Sequence, residues 1–201
     1  MKKKDLEIIL QDVPSFGRPS PQLEQYLTPA RIVADIIFIA HQFGDIENKT
    51  VVDLGCGTGI FSVGAYLTGA KKVIGIDVDK SIIKITEAYA KKHNLDIEFI
   101  AKDVSDIEIK CDTALMNPPF GAQKSNQKAD RKFIEKGFEI ADILYSLHLT
   151  KTIPFLEKMI SALGGTIMYQ KRYLFPIKRQ FEFHKKEVTE CNVTLLRIKT
   201  A

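Results

Sequence analysis

A pair of prolines directly after a short apolar run is the feature that most constrains this chain. The run Thr113–Met116 has the length and composition of a buried strand, and Asn117-Pro118-Pro119-Phe120 ends it. The two prolines fix two φ angles and remove two backbone donors, so the chain cannot continue there as a helix. The residue before a proline is kept extended. The sequence therefore predicts a stiff turn at a strand end.

This turn presents groups that suit an NH2 group on a flat ring. The Asn117 side-chain carbonyl and the Pro118 backbone carbonyl are both acceptors, and Phe120 offers a ring for stacking. Hydrogen bonds accepted from both N–H groups localise the nitrogen lone pair and direct it at an electrophile. The alternative for this motif alone is a turn that only ends a strand. The candidate catalytic residues are Asn117, Pro118, Pro119 and Phe120.

A glycine-rich segment upstream predicts a nucleotide-type cofactor site. An apolar strand ends in Asp53, and Gly55, Gly57 and Gly59 then alternate before a helix that runs to about Leu67. Glycines permit unusual φ values and let a ligand lie against the backbone. The Gly-x-Gly-x-x-Gly spacing of dinucleotide binders is absent, because the pattern here is Asp-x-Gly-x-Gly-x-Gly.

Two further carboxylates follow the next two predicted strands. The strand Lys72–Ile76 ends in Asp77, 24 residues after Asp53, and the strand Ile97–Ala101 ends near Asp103. A carboxylate about 20 residues past a glycine-rich turn, at the tip of the second strand, is placed to hold ribose hydroxyls.

The remaining chain alternates helical and extended patterns. A helix is predicted over 30–43, with Thr28 as its N-cap, Pro29 at its first position and Gly44 as its stop. A polar stretch over 121–132 is predicted to be a mobile lid, and Thr150 is expected to cap a later helix. Further helices are predicted over 2–10, 80–93, 131–141 and 153–163, and further strands over 143–148, 166–175 and 189–198, the last two forming an antiparallel edge.

The net charge of +4 is concentrated near the C-terminus. Residues 171–186 hold six Lys or Arg against one Glu, which leaves the rest of the chain at about −1. Basic residues interleaved with aromatic ones are typical of a surface for single-stranded or looped nucleic acid, although a solvated basic hairpin is the alternative. The candidate RNA-binding residues are Lys171, Arg172, Lys178, Arg179, Phe181, Phe183, His184, Lys185 and Lys186.

Length and cysteine usage limit the class of protein. With 201 residues and 45% apolar content, we expect a single domain, in which 1–29 is an extension that covers the cofactor and 171–188 connects the last two strands. No apolar run reaches the length of a membrane span, and no signal peptide is recognised. Three widely spaced cysteines without a Cys-x-x-Cys pair indicate a reducing compartment and no metal site. We therefore expect a cytoplasmic protein.

The order of these motifs resembles the class I S-adenosylmethionine-dependent methyltransferases, and the Asn-Pro-Pro-Phe variant resembles those that act on amino groups. The resemblance implies an α/β, Rossmann-like fold with a seven-stranded mixed sheet in the order 3-2-1-4-5-7-6 and helices on both faces. It also implies that Asp53 lies near the methionine moiety, that Asp77 binds the ribose and that Asp103 binds the adenine amino group. The implied cofactor-binding residues are Gln25, Tyr26, Thr28, Asp53, Gly55, Cys56, Gly57, Gly59, Asp77, Val78, Asp103, Val104 and Asn117.

Five separated motifs narrow the resemblance. Leu-Glu-Gln-Tyr-x-Thr-Pro from Leu23, the glycine-rich segment, Asn-Pro-Pro-Phe-Gly, Tyr-Ser-Leu-His and Phe-x-Phe-His-Lys-Lys together look like archaeal and eukaryotic small-subunit ribosomal RNA adenosine-N6 methyltransferases. The resemblance implies one adenosine of that RNA as substrate and a small zinc-containing activator protein as partner. The segment 124–132 departs from the family pattern. Because Ile97–Ala101 would be an apolar edge strand, we hypothesise that the activator pairs with it.

Two other functions stay open at this stage. An Asn-Pro-Pro turn with an aromatic residue suits any planar NH2 group, so a protein glutamine amide is an alternative substrate. A non-enzymatic RNA-binding factor of the same fold is the second alternative. The combination of Asp53, Asp77 and Asn117 argues against it, because a pure binder has no need of all three.

Overall fold

A computed structural model describes residues 1–16, 25–120, 129–178 and 188–200, without the side chains of 129, 130, 177, 178, 188 and 189. Seven strands form one sheet in the order β3-β2-β1-β4-β5-β7-β6, which confirms the predicted order. Strands β1 to β5 run parallel, while β7 pairs antiparallel with both β5 and β6. The strands are β1 Thr50–Leu54, β2 Lys72–Asp77, β3 Glu98–Ala101, β4 Cys111–Met116, β5 Ala141–Leu149, β6 Thr166–Lys178 and β7 Val188–Lys199.

Helices pack on both faces of this sheet. Side chains of α1, α2 and α3 form one apolar cluster with the first face, and those of α5 and α6 form a second cluster with the other. Helix α4 packs beside β3, where Ile83 and Ala90 meet Phe99. The helices are α1 Lys3–Leu10, α2 Ala30–Gln42, α3 Ile60–Leu67, α4 Lys80–Lys92, α5 Ala129–Ile140 and α6 Ile153–Ala162, and short 3-10 turns cover Val104–Asp106 and Thr150–Thr152.

Most predicted elements are present, with ends shifted by a few residues. The two predicted caps are wrong. Pro29, and not Thr28, is the N-cap of α2, and no side chain caps that helix. Thr150 opens a 3-10 turn instead of α6, whose N-cap is Thr152. In both places the hydroxyl group binds a distant partner, since Thr28 contacts Asn117 and Thr150 contacts Thr194.

The predicted lid and most of the predicted basic surface fall largely outside the described residues. For the lid, positions 121–128 are outside. Among the described helices, none is long and apolar enough to cross a lipid bilayer.

A buried charged cluster joins the segment before β1 to the last strands. Asp45 accepts hydrogen bonds from Arg197 Nε at 2.7 Å and from the Tyr145 hydroxyl at 2.5 Å. The guanidinium carbon of Arg197 also lies 4.6 Å from the ring centroid of Phe43. The side chains of Arg197 and Asp45 are only 12% and 9% exposed. Each charge therefore depends on the other for its stability in the folded protein.

We expect Arg197→Leu to lower the free energy of unfolding by about 3–5 kcal/mol, because Asp45 would stay buried without its cation. Lys72→Ala is the matched control, since it removes an exposed ion pair with Glu98. It should cost less than about 1 kcal/mol. Urea denaturation at neutral pH measures both values. Equal losses of unfolding free energy in the two variants would show that the buried ion pair contributes no more to stability than the exposed one.

Candidate functional site

The carboxyl ends of three neighbouring strands meet at one edge of the sheet. Leu54 of β1 pairs with Ile76 of β2 on one side and with Met116 of β4 on the other. The glycine loop that follows β1 therefore lies between Asp77, the last residue of β2, and Asn117, the first residue after β4. Two groups that are far apart in the sequence are thus brought to the same place.

The glycine loop has a backbone that other residues adopt only under strain. Gly55, Gly57 and Gly59 have φ angles of +70°, +50° and +77°. A Cβ atom at Gly59 would also lie only 2.5 Å from Cγ2 of Thr86. The Thr86 hydroxyl donates to the Gly57 carbonyl at 3.1 Å, so α4 supports the loop from below. The loop is a fixed cradle of backbone groups.

Two aromatic side chains contact this loop from other parts of the chain. A Cβ atom at Gly55 would meet Cε1 of Phe133 at 3.0 Å, and one at Gly57 would meet Cζ of Phe16 at 3.0 Å. Phe133 belongs to α5, and Phe16 precedes α2. Sequence reasoning missed both residues, because a single Phe in a helix or an irregular segment gives no local signal of such a contact.

Asp53 is buried beneath the loop, with only 1% of its surface exposed. Its Oδ2 atom accepts hydrogen bonds from the Ser62 backbone N–H at 3.0 Å and from the Ser62 hydroxyl at 2.6 Å. Burial raises the pKa of Asp53 to about 7, and the nearby Asp77 carboxylate adds to the effect. Asp53 therefore holds the first turn of α3, and its role near a methionine moiety stays a prediction.

Asp77 is linked to the loop and to the start of α4. It accepts hydrogen bonds from the backbone N–H groups of Gly57 at 2.8 Å and Asp79 at 2.9 Å. Burial raises the pKa of Asp77, while the neighbouring Val78 side chain is 51% exposed at the mouth of the site. Asp79 caps α4 and also accepts from Gln25 Nε2 at 2.9 Å. Asp79 was missed, although an Asp two residues before a Ser at a helix start is a recognisable capping pattern.

Asp103 and Cys56 are occupied by protein contacts. The Asp103 carboxylate lies 2.7 Å from Lys132 Nζ and accepts from the Ser105 backbone N–H at 2.8 Å. Burial alone would raise the pKa of Asp103, but the hydrogen bonds from Lys132 and Ser105 lower it overall. Val104 is buried beside it. Burial raises the pKa of the Cys56 thiol well above its usual range.

The Asn117 amide is held by a residue from the segment before α2. Its Nδ2 atom donates to the Thr28 hydroxyl at 2.9 Å. Its Oδ1 atom is buried, and none of the described residues donates a hydrogen bond to it. Pro118 is also buried. A buried carbonyl oxygen without a donor is costly, so this atom is suited to receive an N–H group from a ligand.

The aromatic residues predicted for the site pack against the core. The ring of Phe120 is half-buried and lies nearly perpendicular to that of Phe175, with the centroids 5.6 Å apart. Tyr26 packs against the same apolar cluster. Both residues are therefore held close to the turn that carries Asn117.

The predicted basic surface is described only at its beginning. Lys171 Nζ lies 2.6 Å from Asp35, which also pairs with Lys3 Nζ at 2.8 Å and accepts a hydrogen bond from the Tyr173 hydroxyl. Lys171 is therefore held in an ion pair within the protein, in a cluster of two lysines and one carboxylate. Arg172 is exposed. The side chain of Lys178 is outside the described atoms, and Arg179, Phe181, Phe183, His184, Lys185 and Lys186 are outside the described residues.

Comparison with known proteins identifies a family model that matches the central part of the chain and two relatives that match almost all of it. The family model "Methyltransferase small domain" matches residues 36–142. The Danio rerio protein named rRNA N(6)-adenosine-methyltransferase METTL5 is 35% identical, covering 98% of each chain. The crystal structure of PH1948 from Pyrococcus horikoshii, provisionally described as an RNA methyltransferase, has a TM-score of 0.92 at 36% identity. That match covers 100% of this chain and 98% of the other.

A relative with a different named substrate matches only part of the chain. MJ0928 from Methanocaldococcus jannaschii carries the provisional name of a protein N5-glutamine methyltransferase. It is 33% identical over 97 residues, which cover 48% of this chain and 49% of the relative. This match therefore concerns about half of each protein, whereas the METTL5 match extends over nearly the whole of both.

The raised pKa of Asp53 predicts a pH-dependent stability. The carboxyl titrates at about 7 in the folded protein against an ordinary value of 3.8. The folded state thus binds more protons between these values, and the free energy of unfolding falls as the pH rises through this window. From pH 5 to 8, we expect the free energy of unfolding of the wild type to fall by about 2–3 kcal/mol more than that of Asp53→Asn. This estimate uses about 1.4 kcal/mol for each pH unit below the pKa of Asp53.

Urea denaturation at four pH values between 5 and 8 measures this difference. Asp53→Asn keeps an oxygen that can accept from Ser62, so the variant removes the titration and retains the contact. Asp96→Asn, at an exposed position, is the control and should follow the wild-type curve. Parallel curves for the wild type and Asp53→Asn would contradict the prediction.

Proposed function

We propose that this chain, which belongs to the methyltransferase small domain family, methylates N6 of an adenosine in small-subunit ribosomal RNA. The methyl donor of its class is S-adenosylmethionine. The full-length similarity to an rRNA N(6)-adenosine-methyltransferase supports this substrate. The observation that carries the proposal is the buried Asn117 Oδ1 atom, which receives no donor from the described part of the protein.

The glycine cradle fits a nucleoside cofactor. Its three glycines adopt positive φ angles, which bring backbone groups together at the carboxyl end of β1. We assign the ribose hydroxyls to Asp77, at the end of β2, and the exposed Val78 to the adenine ring. We keep the remaining resemblance-based residues, including Asp103 and Val104, as part of this proposal. When bound, the cofactor supplies a methyl group whose C–S electron pair stays on sulfur as the N6–C bond forms, and the surplus N6 proton leaves to water.

The turn after β4 supplies geometry and polarisation for the adenine. Asn117 Oδ1 and the Pro118 carbonyl accept hydrogen bonds from the two N6 hydrogens, which directs the lone pair toward the methyl group. Pro119 keeps the turn stiff, and Phe120 stacks on the base. No side chain has to act as a strong base before the attack. The target adenine must leave its stack to reach this pocket.

Strand β6 leads into the proposed RNA surface. Arg172 is exposed in the middle of this strand, and the basic connection over 171–188 continues from it, so we assign phosphate contacts to this part. Among the candidate RNA-binding residues, Lys171 is the least suited to contact phosphate, because it is paired with Asp35. The cytoplasmic location is also part of this proposal, supported by three cysteines that are all unpaired.

One experiment distinguishes the proposed catalytic role of Asn117 from the proposed cofactor-binding role of Asp77. Asn117→Ala should lower the rate of methyl transfer by about 10²-fold or more, because the amide acts on the reacting nitrogen, and it should weaken cofactor binding less than Asp77→Ala does. Asp77→Ala should mainly weaken cofactor binding. Calorimetric titration with S-adenosylmethionine gives the affinities. Equal loss of cofactor affinity in the two variants would contradict these roles.

The assay uses labelled S-adenosylmethionine with small-subunit ribosomal RNA, followed by nucleoside analysis. Label in N6-methyladenosine, lost in Asn117→Ala, is the expected result. Label found on a protein fraction instead of RNA would favour a glutamine amide as substrate. Cofactor binding without transfer to either, with the activator described below present, would favour the non-enzymatic alternative.

We also propose that a small zinc-containing activator protein pairs with the free edge of β3. The strand is at the edge of the sheet, and Phe99 is buried beneath it. Lys102 N donates to Asp77 O of β2 at 2.9 Å. Because successive N–H groups of a strand alternate in direction, the N–H of Ala101 points away from β2 and is available to a partner strand.

Ala101→Pro tests this pairing without disturbing the contact with β2. The variant removes the outward N–H and none of the hydrogen bonds to β2, so we expect the folded variant to lose retention of the co-expressed activator. Its melting temperature shows whether the fold is kept. Ala101→Ser keeps the N–H and is the control. Undiminished retention by a folded Ala101→Pro variant would exclude strand addition at this edge.

A further inference from the structure

The outer face of α6 carries an aromatic side chain between two lysines. Lys151 lies in the 3-10 turn before the helix, and Phe155 and Lys158 follow about one and two turns later. Side chains at these spacings lie on the same side of a helix. All three are exposed, and 58% of the surface of Phe155 is accessible to water. We name these three residues the α6 row.

The α6 row begins at the same edge of the sheet as the candidate site. Met116 of β4 pairs with Ser146 of the neighbouring parallel strand β5. Asn117 directly follows β4, and Lys151 comes shortly after Leu149, the last residue of β5. The row therefore starts beside the turn that carries the catalytic amide.

A hydrogen bond places a third cation next to this row. The hydroxyl oxygens of Thr150 and Thr194 are 3.0 Å apart, which joins the turn before α6 to β7. Thr194 pairs with Arg172 of β6, and paired residues of antiparallel strands lie on the same face of the sheet. Arg172 is exposed. Lys151 and Arg172 thus lie on either side of one pair of threonines.

The charges of these cations are not compensated within the described part of the protein. Over residues 1–16, 25–120, 129–178 and 188–200, no acidic group forms an ion pair with Lys151, Lys158 or Arg172. The one acidic residue of α6 is Glu157, and it accepts a hydrogen bond from Gln170 Nε2 at 3.4 Å. The surface is therefore positively charged around an exposed ring.

We propose that the α6 row and Arg172 bind single-stranded RNA on the β5 side of the target adenosine. This inference rests on the proposed function and adds a second RNA surface to the basic connection over 171–188. The three cations suit phosphate groups, whose contacts do not depend on base sequence. The exposed ring of Phe155 suits the face of a base, which stacks on aromatic side chains.

The charges also argue against a second copy of this chain as the occupant of the surface. A symmetric contact between two copies would bring the same patch of each chain together. Lys151, Lys158 and Arg172 of one copy would then face the like charges of the other, which is unfavourable. RNA brings the opposite charge to the same place.

The double variant Lys151→Gln/Lys158→Gln tests the phosphate contacts. Binding of a short labelled single-stranded RNA of mixed sequence is measured by fluorescence anisotropy, without cofactor, over a series of salt concentrations. Each phosphate contact contributes about 0.7 to the slope of log affinity against log salt, so the slope should fall by about 1.4. The affinity at about 0.1 M salt should fall by about 25-fold. Arg172→Gln should lower the slope by about 0.7.

A matched control removes the same amount of charge elsewhere. Lys91 and Lys92 are exposed in the last turn of α4, which ends at the opposite edge of the sheet. The double variant Lys91→Gln/Lys92→Gln should therefore keep the wild-type salt slope.

Phe155→Ala tests the stacking contact in the same assay. The affinity for RNA should fall by at least about fivefold, the smaller end of the effect of removing a stacked ring. The salt slope should stay at the wild-type value, because no charge is removed. Phe155→Tyr keeps the ring and should keep the affinity. In the methyl-transfer assay, Phe155→Ala should raise KM for RNA by the same factor.

The outcomes separate this inference from the proposed function. An unchanged salt slope in the double variant of the α6 row, or an unchanged RNA affinity in Phe155→Ala, would overturn the inference. A smaller mass of Phe155→Ala in size-exclusion chromatography, with RNA binding intact, would assign the ring to a contact between copies and also overturn it. The expected slopes in a wild-type chain that transfers no methyl group to RNA would support the surface and contradict the proposed function.

Discussion

The parallel pairing of β1 with both β2 and β4 is the constraint on which the site depends. Leu54 pairs with Ile76 on one side and with Met116 on the other. The two faces of β1 are both buried, since Val51 packs in the first apolar cluster and Val52 in the second. A slip of one residue would exchange these faces and move Asp53 away from its contacts with Ser62. The same register sets the distance between the glycine loop and the turn that carries the amide.

The pairing also places two buried carboxyl groups close together. Burial raises the pKa of Asp53 and of Asp77, and the Asp77 carboxylate adds to the shift at Asp53. Both groups nevertheless accept hydrogen bonds, Asp53 from Ser62 and Asp77 from the backbone of Gly57. These contacts join the ends of β1 and β2 to the glycine loop and to the start of α3.

The sequence predicts the strands and their functional ends because these signals are local. Apolar runs that stop at Asp, Gly or Pro identify β1, β2 and β4 without knowledge of the fold. The wrong cap at Thr28 has the opposite cause. Thr-Pro before an apolar helix is a good capping pattern, but Asn117, 89 residues away, binds the hydroxyl. The contacts of Phe16 and Phe133 with the loop were missed for the same reason, since local rules consider only neighbours in the chain.

The contact between Phe120 and Phe175 extends this dependence to the last strands. Phe175 is fully buried in β6, opposite Cys191 of β7. Nearly perpendicular rings at 5.6 Å are a favoured aromatic pair. The position of Phe120 therefore depends on the antiparallel pair β6–β7. Because the same pair leads into the basic connection, one edge strand contacts Phe120 and also carries the beginning of the proposed RNA surface. Arg31 donates to the Leu174 carbonyl and the Tyr173 hydroxyl donates to Asp35, so β6 is also joined to α2.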